Sequence, residues 1–332
     1  MMVAPGCGDD GGSGQSSGST GEVTGSTGTP TTGSPTTEDP PATSSSSGDP
    51  TTADSTGADS TTGEPADIDV DLQFAVRVGE DDAACGQSYA GIGASDTTIE
   101  FLDIRFFVSN VRLVDDGGNE VPLEMPDDGE WQLEGSALLD FEDGSGGCSE
   151  GTTAVTNTVV SGTVPDGTYT GVRFDLGLPF EQNHLAVDTA DPPLNTTAMF
   201  WNWAAGYKFV RIDIQNENAA PDNRWNFHLG SQGCDNNDGG PTVPPKAECG
   251  RPGRPAIAID GFDPVTGTIV LDAAAIYTGV DITTNTAMTP PGCQSFMPDV
   301  AECEDLYPNL GLDWATGDCA NGCADQAIFS GE

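Results

Sequence analysis

Histidine is nearly absent from this chain of 332 residues, which has only His184 and His228. Basic residues are scarce too: ten Lys and Arg stand against 53 Asp and Glu, for a formal charge of −43. A chain so acidic repels nucleic acid and anionic lipid, which excludes both as direct partners. The same charge attracts cations of every kind, so acid content alone does not identify a specific metal site. No run of about 20 apolar residues occurs, so no membrane-spanning helix is expected. Gly-x-Ser-x-Gly, P-loop and His-Glu-x-x-His signatures are all missing. Carboxylate pairs abound, but chance supplies them among 53 acids. The chain is therefore read as a binding protein and not an enzyme.

What the chain does contain begins with 44 Gly and 24 Pro, a composition of loops and turns. Residues 8–66 are almost entirely Gly, Ser, Thr, Pro, Asp and Glu, with no aromatic and no basic residue. Such a segment buries too little apolar surface to offset its ordering entropy, so it reads as a disordered tether. About 60 flexible residues span roughly 45 Å root-mean-square. Ahead of it, Met1-Met-Val-Ala-Pro-Gly-Cys7 resembles the end of a bacterial lipoprotein signal, with small residues before a cysteine and a polar linker after it. The charged and apolar regions that normally precede such a site are not in the sequence, which fits a start codon placed too late. Residues 1–7 are then a signal remnant and Cys7 is lipidated. The expected location is the periplasm or the outer-membrane or cell surface, held by that lipid anchor.

Nine cysteines are present. Apart from Cys7, they form an even set: Cys85, Cys148, Cys234, Cys249, Cys293, Cys303, Cys319 and Cys323. Even number and few lysines point to an oxidising compartment. Eight cysteines allow about 105 pairings. Local order suggests Cys85–Cys148, Cys234–Cys249, Cys293–Cys303 and Cys319–Cys323, each worth roughly 2–4 kcal/mol. A four-thiolate zinc site from the last four cysteines is the competing idea, although their spacing matches no familiar zinc pattern.

Folded sequence begins at Asp67 and runs to Glu332. Ile68, Val70, Leu72, Phe74, Val76 and Val78 alternate with polar residues, the signature of a half-buried strand. Ile104–Val114, Tyr169–Leu176, Tyr207–Gln215, Trp225–Gly230, Ile257–Phe262 and Thr268–Leu271 read as further strands. One helix is expected near Pro298–Leu310, with Pro at its start and Gly after it. Short strands punctuated by turns predict an all-β fold: an antiparallel β-sandwich with long loops and one short C-terminal helix, stabilised by disulfides.

The two histidines flank the aromatic run Met199-Phe-Trp-Asn-Trp-Ala-Ala-Gly-Tyr-Lys-Phe209. Neutral imidazole is the commonest side-chain metal ligand, which invites a metal-site reading; two unrelated structural histidines are the bland one. Period two turns His228 away from Trp225, Phe227 and Leu229. Two imidazoles do not complete a zinc site, which wants about four ligands; Asp188 is a carboxylate candidate. Copper(I) accepts fewer ligands. Met199 is a thioether candidate or simply core. An intact indole is no ligand, because its N–H only donates, whereas kynurenine, its ring-opened oxidation product, carries an aryl amine. Trp201 and Trp203 share a face on extended chain, as core, as oxidisable groups or as a platform for sugar rings. Asp235-Asn-Asn-Asp-Gly-Gly240 hints at calcium but has Lys246 where an EF-hand loop needs Glu.

Several segments together resemble the MbnP-like proteins, the four-Cys member of the "metallo-mystery pair". They are Asp103-Ile-Arg-Phe-Phe-Val-Ser-Asn-Val-Arg-Leu113, Trp131-Gln132, Ala137-Leu-Leu-Asp-Phe-Glu-Asp143, Leu176-Gly-Leu-Pro-Phe-Glu-Gln-Asn-His184, Pro193-Leu-Asn195, Met199-Phe-Trp-Asn-Trp203, Gly206-Tyr-Lys-Phe209 and Phe227-His-Leu-Gly-Ser231 with Cys234. They occur in order across most of 67–330. The resemblance implies an extracytoplasmic copper-binding protein beside a MauG-like di-haem cytochrome c peroxidase family partner. That partner oxidises a Trp to kynurenine, and copper is held by histidine nitrogens and the modified residue. On this chain the histidines are His184 and His228. Trp203 and Trp201 are the leading tryptophans, with Trp131 in another matching segment. The four-Cys label fits Cys85, Cys148, Cys234 and Cys249, leaving the last four cysteines additional. A surface-attached module that binds carbohydrate or protein without metal is the alternative.

Overall fold

A computed structural model describes residues 66–148, 154–219, 223–237, 239–296 and 301–332. Cys7 and all but the last residue of the 8–66 tether lie outside them. In Asp67–Val78 the apolar residues from Val70 to Val76 are buried while Asp67, Asp71 and Gln73 stay exposed. This strand pairs antiparallel with Val159–Pro165 and parallel with Thr268–Asp272, which in turn pairs antiparallel with Phe329–Gly331.

The larger sheet is built on one long strand, Thr97–Asp115. Tyr169–Leu176 lies antiparallel to its C-terminal half, with Ala256–Asp260 beyond. Val210–Gln215 lies antiparallel to its N-terminal half, followed by Arg224–Leu229 and then, running parallel, Gly292–Gln294. The two sheets face each other through aromatic contacts. Phe74 of the smaller sheet meets Phe106 at 6.3 Å and Phe174 at 5.8 Å, and Phe329 meets the same pair at 5.9 and 5.2 Å. The result is the expected disulfide-stabilised β-sandwich, mostly antiparallel, with parallel pairing at the Asp67–Val78 and Thr268–Asp272 strands and at the Gly292–Gln294 edge.

Residues 103–109 of the long strand are all buried. One face belongs to the core between the sheets. The other is roofed by a two-stranded hairpin, Phe200–Asn202 with Gly206–Tyr207, whose Tyr207 ring sits 6.1 Å from Phe107. That roof explains why Phe107 is apolar on a face otherwise held by Asp103, Arg105 and Ser109. It also breaks the strand expected over Tyr207–Gln215. The Lys208 N–H bonds back to Met199, whereas the Phe209 N–H bonds to Leu229, so the chain changes partner between them.

The C-terminal helix is shorter than its sequence suggests. An α-turn at Ala301–Glu304 is followed by a 3-10 turn at Tyr307–Leu310. Pro308 has no N–H to continue a helix, and Gly311, at φ 75°, closes the turn. Residues 297–300 lie outside the described set. Two further four-residue helices, Phe180–Asn183 and Ala273–Ile276, carry little sequence signal, although Asp272 caps the second through the N–H groups of Ala274 and Ala275. The disulfides are Cys85–Cys148, Cys234–Cys249, Cys293–Cys303 and Cys319–Cys323. With their sulfurs paired, the last four cysteines offer no thiolate for zinc.

Candidate metal centre

His228 lies in the strand Arg224–Leu229. Trp225, Phe227 and Leu229 fill the core, so His228 faces the roofed side, as alternation requires. Register places it in a row with Arg105, Arg211 and Gln294 of neighbouring strands. A second row holds Asp103 and Asp213. The rows are knit by ion pairs: Arg105 with Asp103, Arg211 with Asp103 at 3.1 Å, and Arg211 with Asp213 at 2.7 Å. Burial alone raises the Asp213 carboxyl, but His228 and Arg211 outweigh it, and the group sits far below the ordinary range. An ionised Asp213 then accepts from His228 Nε2 at 2.6 Å. Burial lowers the pKa of His228 against the opposing pull of Asp213, which favours the neutral imidazole. Its proton is on Nε2, and Nδ1 keeps a lone pair. That Nδ1 is buried with no protein partner.

His184 closes the short helix Phe180–Asn183 and is 8 % exposed. Its Nδ1 is 3.1 Å from the Trp203 carbonyl oxygen, which only accepts, so Nδ1 carries the proton. The lone pair is on Nε2, 3.1 Å from the Asn183 amide nitrogen and 3.4 Å from Cys249 Sγ. Burial lowers this pKa as well, against the opposing pull of the Trp203 carbonyl. Asn183 ties the histidine to the hairpin roof, since its Oδ1 accepts from the Tyr207 N–H at 2.9 Å.

Both imidazoles therefore touch the same hairpin. His184 meets the Trp203 backbone, and His228 meets the Trp201 ring at 6.5 Å between centroids. Trp201 also packs on Phe296 at 5.1 Å and on Gly230, where an added Cβ would lie 2.5 Å from its ring. Trp201 and Trp203 are both half-buried, and each indole nitrogen is buried without a partner. Trp225 is fully buried against Tyr277, Trp314 lies under the Arg251 guanidinium and meets Tyr307 edge to face, and Trp131 is half-buried at the edge of the core. Met199 is fully buried core. Asp188 is exposed, and no contact joins it to either histidine. Asp235 caps the Asn237 N–H in a local turn.

The sequence reading missed two contributors, Asp213 and Asn183; it gave the Cys234–Cys249 disulfide but not its place beside His184. Asp213 had a signal, because an acid between Ile212 and Ile214 on a strand beside the histidine strand faces the histidine's side. His184, Cys234 and Cys249 place their ligand atoms within 4.8 Å of one another, but the sulfurs are bonded to each other.

The chain matches the family model for MbnP over residues 67–295. This chain belongs to the MbnP family. Its fold is similar to the solved structure of MbnP from Methylosinus trichosporium, at 31 % identity and a TM-score of 0.68, covering 80 % of this chain and 98 % of that one. No curated protein matches the chain. The MbnP match includes both histidines, the hairpin tryptophans, Asp213 and the Cys234–Cys249 bridge; it ends at Ser295, just before Phe296.

Proposed function

We propose that this MbnP-family protein binds copper outside the cytoplasm, with copper(I) held by His184, His228 and a kynurenine derived from Trp201 or Trp203. The observation that carries the reading is the pair of buried, neutral, oriented imidazoles. Each has one nitrogen fixed by a protein acceptor and a lone pair on the other, unpartnered in His228 and accepting from the Asn183 amide in His184. Ligating histidines are typically oriented this way, by a carboxylate or carbonyl on the far nitrogen. Asp213 and the Trp203 carbonyl supply those acceptors. The donor set favours copper(I) over zinc, since Asp213 is committed to His228 and Arg211 and no carboxylate completes a four-ligand site. Copper, when bound, supplies a soft d10 cation and no reaction of its own. The chain's part is to keep both imidazoles neutral, aimed and shielded from water.

The third ligand comes from the hairpin. A MauG-like di-haem cytochrome c peroxidase family partner opens one indole, and the resulting aryl amine completes the site. Trp201 is the tryptophan whose ring faces a candidate imidazole, and its unpartnered nitrogen fits an atom reserved for that role. Lipidated Cys7 and the tether hold the domain at the periplasmic or outer surface. Peptide-mapping mass spectrometry of protein from its native host tests this reading. Kynurenine at Trp201 or Trp203 in near-full yield is expected. Five intact tryptophans would remove the third ligand and favour a metal-free binding module.

A further inference from the structure

The Cys234–Cys249 disulfide sits differently from the other three. Cys148, Cys293 and Cys303 are fully buried and Cys323 is 2 % exposed, so each of those bridges has a sulfur anchored in the core. Cys234 is half-exposed and Cys249 is 9 % exposed. The residues between them, 235–248, include no strand or helix among those described, and most are exposed. Opening this bridge therefore releases a mostly exposed segment, with Cys249 as its buried end. The two cysteines would nevertheless stay together, because their flanking backbones are paired. Gln232 and Arg251 exchange N–H···O bonds of 2.8 and 3.0 Å, and the Gly250 N–H bonds to Gly233 O at 3.1 Å. Cys249 Sγ already touches His184 Nε2, the lone-pair nitrogen, at 3.4 Å.

We propose that this disulfide is a redox gate: its reduction converts His184, Cys234 and Cys249 into a second copper(I) site with one nitrogen and two thiolate ligands. A dithiol reductant delivers two electrons and two protons, the S–S bond breaks to two thiols, and the reductant leaves as its own disulfide. Copper(I) then displaces both thiol protons to solvent and gains two Cu–S bonds. Soft thiolates prefer copper(I), and three donors suit it better than zinc, which wants a fourth. The oxidised bridge has no thiolate to offer, so the same histidine serves a nitrogen-based site in one redox state and a sulfur-rich site in the other. The inference rests on the copper reading for the identity of the ion; the site itself needs only His184 and the two cysteines.

The test uses the full chain, reduced anaerobically with a water-soluble phosphine and desalted. Alkylation mapping establishes which cysteines are free, and circular dichroism establishes that the fold persists. Copper(I) is then titrated against a chromophoric chelator, and copper-edge X-ray absorption reads its ligands. The expected result is copper–sulfur scattering from two sulfurs and an affinity roughly tenfold or more above the oxidised chain, about 1.4 kcal/mol. Both gains should vanish in Cys234→Ser/Cys249→Ser and persist in His228→Ala. A reduced, folded parent with free Cys234 and Cys249 but only nitrogen or oxygen around copper overturns the proposal. So does a bridge that resists the phosphine while the buried ones open. An oxidised chain that binds no copper would sink the two-histidine reading and leave the sulfur signal of the reduced chain to decide this one.

Discussion

Replacing Asp213 by asparagine removes one charge and almost no volume. In the parent, one carboxylate oxygen accepts from His228 Nε2 at 2.6 Å, and the other accepts from Arg211 Nη2 and Nε at 2.7 and 2.8 Å. An amide has a single oxygen. If it stays on Arg211, the NH2 group faces His228 and favours the imidazole tautomer with its proton on Nδ1, which removes the lone pair meant for copper. If it turns to His228, a neutral hydrogen bond of about 0.5–1.5 kcal/mol replaces a charge-assisted one of about 1.5–3 kcal/mol. Arg211 keeps Asp103 at 3.1 Å, so the cation is not stranded. Either arrangement weakens the imidazole as a donor, by the roughly 10- to 100-fold typical of partners behind a metal ligand, or about 1.4–2.7 kcal/mol. The assay is copper(I) competition titration on oxidised protein, with circular dichroism to confirm the fold. The same substitution in a His228→Ala background should have no further effect on copper, because the group it orients is gone. Unchanged affinity in folded Asp213→Asn, or an equal loss without His228, refutes the assignment of His228 as an oriented ligand.

Two further outcomes follow from the packing around the site. Gly230→Ala places a Cβ 2.5 Å from the Trp201 ring and 2.7 Å from the Tyr207 carbonyl oxygen. It should cost about 1–3 kcal/mol in urea unfolding and shift the tryptophan emission, and a variant matching the parent in both would contradict the tight hairpin contact. Asp140, buried opposite Arg105, has its carboxyl pushed up to about 7, chiefly by burial, against the lowering influence of the Glu142 N–H and Arg105. The folded chain thus holds a proton that the unfolded chain has released between about pH 4 and 7, so this group's contribution to stability falls as pH rises through that window. Asp140→Asn keeps an acceptor for the Glu142 N–H, donated at 2.9 Å in the parent. It should stabilise the protein at pH 8 relative to pH 4 by up to about 4 kcal/mol compared with the parent. A parent-minus-variant difference that does not change with pH contradicts this.

The sandwich was legible wherever a strand has one wet face. Asp67–Val78 and Tyr169–Leu176 alternate, and their bounds follow from that alternation. The long central strand was only partly legible, because the hairpin roof buries Asp103, Arg105 and Ser109, residues whose alternation with Ile104, Phe106 and Val108 marks a wet face. Gly292–Gln294 is short and held by a neighbour distant in sequence, and Ser136–Asp140 is short and buried throughout, so no alternation marks either. At the site, residue scarcity singled out His184 and His228, and alternation gave the direction of His228. The contacts that orient them were hidden. His228 meets Asp213 across a strand pair and so depends on register, and His184 meets the carbonyl of Trp203 across 19 residues of loop and hairpin. Sequence left open which tryptophan faces an imidazole. The hairpin decides it, by turning the Trp201 ring toward His228 over Gly230.

The central claim is that one copper ion is held by both histidines together. The most direct measurement is copper(I) affinity of the oxidised protein, isolated from its native host, alongside His184→Ala and His228→Ala. Tight binding by the parent at one ion per chain and a sharp loss in each variant, with the fold retained, are the expected results. Two variants that bind copper as the parent does would contradict the claim.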